Sequence, residues 1–167
     1  MSAATRRPAE SKPSPAQVDA VMRASRALVG IAAASIAEIE HLVTVPQLRV
    51  LVMVATRGPL NLAAVASGLE VSPSNASRIC DRLMKAGFLD RREDPVDRRN
   101  ITLTLTEAGR SLVNQVSRHR RTAIQRVLRN MDPRKREQLT ASLDQFATAA
   151  GEPAGDAQLT LIWSQGF

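Results

Sequence analysis

The chain has 167 residues, enough for one hydrophobic core or for two small lobes that share helices. Its hydrophobic share of 44% is ordinary, but only 2% is aromatic (three Phe, one Trp, no Tyr), so the interior must be built from Leu, Val, Ile and Ala, and few platforms exist for stacking unpaired bases. A formal charge of +7 suits a polyanionic partner, and the single cysteine, Cys80, excludes an internal disulfide or a multi-cysteine zinc site.

The longest uncharged apolar run, residues 27–37, falls short of the roughly 20 residues a bilayer requires. Arg6 and Arg7 are followed by PAESKPSP rather than by an apolar segment, so no export signal is read and a cytoplasmic protein without membrane contact is expected.

Residues 1–15, rich in Arg, Lys, Ser and Pro, are expected to form a disordered basic arm. From Ala16 to His41 the apolar positions Val18, Val21, Met22, Leu28, Val29, Ala32, Ile36 and Ile39 keep a helical period. TVPQ at 44–47 fits a capping box, in which Thr44 and Gln47 satisfy each other's backbone donors. A second helix follows, with Leu48, Leu51, Val52 and Ala55 as its buried stripe and Gly58-Pro59 as its stop.

Asn61 caps a short third helix carrying Leu62, Val65, Ala66 and Leu69. Ser72-Pro73 opens a fourth helix that runs to about Ala86, where Gly87 suits a left-handed C-terminal turn. From Phe88 the period changes. Ile101, Leu103 and Leu105 alternate with Asn100, Thr102 and Thr104, the pattern of a strand with one buried face, and DPVD at 94–97 makes the tip of a two-stranded ribbon. Thr106 caps a long fifth helix reaching about Asn130. Asp132-Pro133 opens a sixth, with Leu139, Leu143, Phe146 and Ala147 on its face. A Gly- and Pro-containing linker at 151–155 precedes LTLIW at 159–163.

In the fourth helix Ala76, Ile79, Cys80 and Leu83 form the apolar stripe, leaving Ser74, Asn75, Ser77, Arg78, Asp81, Arg82 and Lys85 for solvent or a partner. Short polar side chains crowd its N-terminal half, beginning at Ser72, and that end of a recognition helix reaches the bases. Asn pairs bidentately with adenine and Arg with guanine, whereas Arg82 and Lys85, further along, suit phosphates. Asp81 is expected to pair with a neighbouring Arg. At the ribbon tip, Asp97 can brace one guanidinium of Arg98-Arg99 while the other reaches into a narrow minor groove.

These segments resemble the winged helix-turn-helix of the MarR family. The likeness is carried by SPSNASRICDRLMKAGFL at 72–89, RREDPVDRRNITLTLTEAGR at 91–110 and TVPQLRVL at 44–51, and it covers roughly residues 16–148. Asp97-Arg98-Arg99 and the Leu105-Thr106-x-x-Gly109 pattern are its most distinctive parts. The resemblance implies a homodimer whose first, fifth and sixth helices build the dimer lobe, a pseudo-palindromic operator, and release by a small anionic or aromatic ligand. Peroxide-sensing members keep a cysteine near the start of the first helix, where this chain has Ser or Ala. Some members place another Arg at the wing tip, where this chain has Val96.

Other signals carry less. Cys80, inside an apolar stripe, reads as an inert core thiol. His41 and His119 are too few and too isolated for a metal site, and SRHRR at 117–121 reads as a solvated face of the fifth helix. There is no Gly-rich phosphate loop, no His-Glu-x-x-His and no Gly-x-Ser-x-Gly, so neither an enzyme nor a cofactor is expected.

The resulting expectation is a mainly α protein with a small β-wing. Residues 44–105 form the winged helix-turn-helix, 16–43 and 106–150 form a helical dimerisation region, and 151–167 form a tail packed on the dimer. The expected function is sequence-specific regulation of transcription by a homodimeric repressor on double-stranded DNA. The candidate contacts are Ser72, Ser74, Asn75, Ser77, Arg78, Arg82, Lys85, Arg98 and Arg99, with Asp97 in support. A non-specific architectural DNA binder and a winged-helix protein-interaction module are the alternatives.

Overall fold

Ser14 and Gln17 open the first helix reciprocally: Gln17 N donates to Ser14 Oγ at 3.3 Å and Ser14 N donates to Gln17 Oε1 at 2.7 Å. With Pro15 at its first position, helix α1 spans Pro15–Ala37. The computed structural model describes residues 12–93 and 101–151, so most of the expected basic arm and nearly all of the C-terminal tail lie outside the described residues.

Helix α1 ends four residues before His41. Residues 38–42 are turns, with Ile39 N bonded to Ile36 O and Leu42 N to Ile39 O. These tighter i→i+3 turns still bury Ile39 completely, which is why the apolar period runs past the helix end. By length and composition alone α1 could cross a membrane, a property hidden from an unbroken-run criterion by the charged residues within the helix. Among the described residues, Ser35 is the one residue of α1 that is buried.

Helix α2 (Val45–Arg57) is the central element. Thr44 N donates to Gln47 Oε1 at 2.7 Å at its start, and Gly58, at φ +81°, ends it in a conformation that side chains other than glycine rarely adopt. Leu48, Val50, Leu51, Val52, Met53 and Val54 are all buried, because α2 is wrapped by neighbours instead of lying on one face of them. Asn61 caps α3 (Leu62–Leu69) by accepting from Ala64 N at 2.8 Å. Gly68 lies against Met53, and a β-carbon there would require the flexible Met53 methyl to shift.

Helix α4 (Pro73–Lys85) follows the Ser72-Pro73 start, and Gly87, at φ +76°, turns the chain into strand β1 (Leu89–Glu93). Strand β2 (Ile101–Leu105) pairs antiparallel with β1, setting Leu89 opposite Leu105, Arg91 opposite Leu103 and Glu93 opposite Ile101. Leu60 adds a one-residue bridge to Leu103 on the other edge, an addition the alternation pattern did not reveal. Burial follows the expected alternation at Leu103 and Leu105, while Ile101, at the outer end, is 38% exposed.

Helix α5 (Glu107–Arg129) and helix α6 (Pro133–Ala149) follow, each begun by the expected cap: Thr106 Oγ1 accepts from Gly109 N, and Asp132 Oδ1 accepts from Arg134 N. Leu112, Val113 and Val116 of α5 join one core with Leu48 and Leu51 of α2, Val65 and Leu69 of α3, Ala76, Cys80 and Leu83 of α4, and Leu89, Leu103 and Leu105 of the ribbon. That core is aliphatic, as the composition requires, with Phe88 packed at its margin. Burying each Leu contributes about 1.5–3 kcal/mol. Among the described residues the fold is thus six helices with a two-stranded antiparallel ribbon, and α5 belongs to the core shared by α2, α3, α4 and the ribbon as well as extending beyond it.

Candidate nucleic-acid interface

Ser72 stands in extended conformation before α4. Its Oγ accepts from Asn75 N at 3.4 Å and lies 3.1 Å from Ser74 Oγ. No acidic residue sits in the first turn, so the positive end of the helix dipole stays uncompensated towards solvent. Ala76, Cys80 and Leu83 face the core, which turns Ser74, Arg78, Asp81, Arg82 and Lys85 outwards as one stripe at i, i+4, i+7, i+8 and i+11. Asn75 and Ser77 flank that stripe and are partly buried. Ile79, expected in the apolar stripe, is only partly buried at its edge. Thirteen residues make a rod of about 20 Å, which fits a major groove about 12 Å wide.

Asp81 accepts a long, 3.5 Å hydrogen bond from Ser77 Oγ, in place of the expected arginine pairing. A neutral hydroxyl orients one carboxylate oxygen but leaves the negative charge of Asp81 on the outer stripe. Asp97, Arg98, Arg99 and Val96 of the wing tip lie outside the described residues.

The ribbon adds arginines that the sequence pattern did not single out. Leu89 and Arg91 share the face of Leu103 and Leu105, so Arg91 lines a hollow of about 50 Å³ with Ser77, Cys80 and Asp81, between β1 and α4. Strand parity carried the signal, because Arg91 is two residues from buried Leu89. Arg92 takes the opposite face and sits 3.7 Å from Asp90, an exposed pair worth under about 1 kcal/mol.

Behind the ribbon, a cavity of about 400 Å³ opens between α2, β2 and α5. Val54, Ala55, Pro59 and Leu105 supply an apolar floor, and Arg92, Arg110, Asn114 and Thr104 supply polar walls. Thr104 Oγ1 is shielded from solvent and has no hydrogen-bond partner, although hydroxyls so placed are normally satisfied.

The fifth helix departs from the solvated face expected at 117–121. Arg120 is 8% exposed, and burial pulls its guanidinium below its ordinary pKa. His119 Nδ1 lies 2.6 Å from Glu38 Oε2, although not aligned for a good hydrogen bond, and so joins α5 to the end of α1. Burial here depends on how α1 packs on α5, which a local charge run cannot reveal.

Cys80 is 2% exposed, and its thiol is pushed up to about 11, first by burial and then by Asp81, with Arg91 opposing. The thiolate is the reactive form, and at pH 7–9 the native protein holds almost none of it. Native protein should therefore resist a thiol-specific disulfide reagent at pH 8 and release one equivalent only when denatured. Rapid stoichiometric labelling of the folded protein would overturn this reading.

Comparison with known proteins agrees with this geometry. Residues 43–101, from the turn before α2 to the start of β2, match the model of the MarR family. The HTH-type transcriptional regulator YkoM of Bacillus subtilis is 30% identical over 104 residues, 62% of this chain and 68% of that protein. The HTH-type transcriptional repressor MdtR of the same organism is 34% identical over 86 residues, 52% of this chain and 56% of that one. Among solved structures, RV1404 from Mycobacterium tuberculosis is 43% identical with a TM-score of 0.75, covering 87% of this chain and all of that one.

Proposed function

The chain belongs to the MarR family of transcriptional regulators, and on that premise we propose that it is a cytoplasmic homodimeric repressor that reads a pseudo-palindromic operator and is released by a small ligand. The observation that carries the DNA-reading part is the outer stripe of α4. Polar and basic side chains project from a capped helix whose opposite face is locked into the core by Ala76, Cys80 and Leu83. Ser72, Ser74, Asn75, Ser77 and Arg78 are assigned to the base edges and adjacent phosphates. Arg82 and Lys85 are assigned to phosphates, and Arg98 or Arg99, braced by Asp97, to the minor groove.

Dimerisation is supported by the apolar side chains that the protomer leaves in water: Val18, Val21, Met22, Leu28 and Val29 of α1, and Leu143 and Phe146 of α6. Large apolar side chains left exposed in such number on two helices fit an interface. Similarity to the MdtR repressor supports the sign of regulation. The cavity behind the ribbon, with two arginines above an apolar floor, supports a small carboxylate-bearing ligand as the releasing agent.

The test is selection of bound duplexes from a random DNA pool by the purified protein, followed by titration in salt. The selected site should be preferred over random DNA by about a thousandfold or more. Replacing Arg98 and Arg99 by Ala should make the log–log salt slope shallower by about 0.9 for each phosphate that is no longer neutralised. Equal affinity for selected and random duplexes would overturn the regulator in favour of an architectural binder, and an unchanged slope would remove the wing arginines from the interface.

A further inference from the structure

Where α4 and the ribbon meet α5, the chain is held together by a set of directional polar contacts. Thr106 Oγ1 donates to Gly87 O at 2.6 Å and accepts from Gly109 N at 3.0 Å. Thr106 N donates to Phe88 O at 3.2 Å, and Phe88 N donates to Leu83 O at 2.9 Å, in the last turn of α4. One hydroxyl therefore ties the end of α4 to the start of α5, and the backbone of Phe88 is bonded on both sides. Gly109 is packed against the same residue: a β-carbon there would overlap Phe88 O, a backbone atom that cannot rotate aside. Arg110 Nη2 adds a bond to Leu105 O at 3.2 Å, fixing the first turn of α5 to β2 as well.

Apolar packing of Leu112 and Val113 holds α5 to the core, but the hydrophobic effect behind it is non-directional. The hydrogen bonds of the corner are directional, and fix the angle at which α5 leaves. We propose that the corner made by Gly87, Phe88, Thr106 and Gly109 sets the angle between the recognition helix and the dimerisation lobe, and thereby the half-site spacing that the dimer accepts. This inference rests on the dimeric reading given above, and makes Thr106 and Gly109 positioning residues that touch no DNA. Geometry sets the scale. A 23-residue helix is a lever of about 34 Å, and base pairs are stacked about 3.4 Å apart, so a rotation of about 6° displaces the reading head by one base-pair step.

The experiment uses full-length protein and duplexes bearing the half-sites selected by the wild type, with their centre-to-centre separation unchanged, shortened by one base pair or lengthened by one base pair. A duplex with a single half-site is the reference. Thr106→Ser keeps both hydroxyl bonds, Thr106→Val removes both, and Gly109→Ala forces the corner to open. Sedimentation and circular dichroism check that each variant is a folded dimer.

Wild type and Thr106→Ser should favour one spacing by about tenfold or more, the scale of a mismatched position. Thr106→Val should keep its single-half-site affinity while its spacing preference narrows to about threefold or less. Gly109→Ala should narrow that preference or move the optimum by one step. If Gly109→Ala does not fold, Thr106→Val alone decides. A Thr106→Val profile that matches wild type, or an equal loss on every duplex including the single half-site, overturns the proposal. If the wild type itself shows no spacing preference, the dimeric operator reading falls, and the corner proposal with it.

Discussion

Replacing Met22 and Val29 of α1 together with glutamate should yield a folded monomer that no longer selects DNA sequence. Both side chains are more than half exposed in the protomer, at 53% and 63%, so the substitutions remove almost no intramolecular packing. Exposed positions of this kind change folding stability by about 0.5 kcal/mol or less. At a two-fold interface the same two changes bury four unpaired carboxylates, each costing several kcal/mol, whereas about 4 kcal/mol already corresponds to a thousandfold in dissociation constant. Sedimentation should show a monomer at micromolar concentration with an unchanged helical spectrum. Binding to the selected duplex should fall by about a thousandfold, to the level of random DNA. A double variant that remains a dimer would place the interface elsewhere than on α1.

Helix α4 and its neighbours were legible in the sequence because local chemistry decides where those elements begin. Ser72-Pro73, Asn61, Thr106 and Asp132 each supply a side-chain oxygen to the first free amides of a helix, and all four caps are found where their residue types place them. The ribbon was legible for a similar reason, since Leu103 and Leu105 alternate with threonines on a sheet with one buried face. The end of α1 was less legible. Ile39 is buried from a turn, and periodicity detects burial without distinguishing a helix from the turn that follows it.

The features that the sequence hid are those created by contact between distant segments. Gly109 looks like an ordinary weakness in a helix until the Phe88 carbonyl is placed against it, 21 residues back along the chain. Arg120 and His119 look like members of a solvated run until tertiary packing buries the first and sets the second against Glu38 at the end of α1. Arg91 stands out only once the register with Leu103 shows which face of β1 points towards α4. The candidate site was therefore legible on the recognition helix, where one element presents all its groups. It was only partly legible on the wing, where pairing decides which side chain faces the helix.

Asn75→Ala and Arg78→Ala should each cost about 1–3 kcal/mol on the selected duplex and relax preference at particular base pairs. The two residues differ in their surroundings, and that difference shapes the expected result. Arg78 lies in the middle of the outer stripe, one turn after Ser74, with a long stem that reaches a guanine edge from a helix lying in the groove. Asn75 is partly buried at the flank of the stripe, in the first turn, where its amide can approach an adenine only near the helix start. Loss of Arg78 should therefore remove a discrimination against bases other than guanine, and loss of Asn75 a discrimination against bases other than adenine, at a different position within the same half-site. Repeating the selection with each variant measures this directly. A specific reader leaves one degenerate position in the recovered site, while a phosphate contact leaves the site intact and lowers affinity uniformly on every duplex, with a shallower salt dependence. Uniform loss for both residues would move the base-reading assignment off the start of α4.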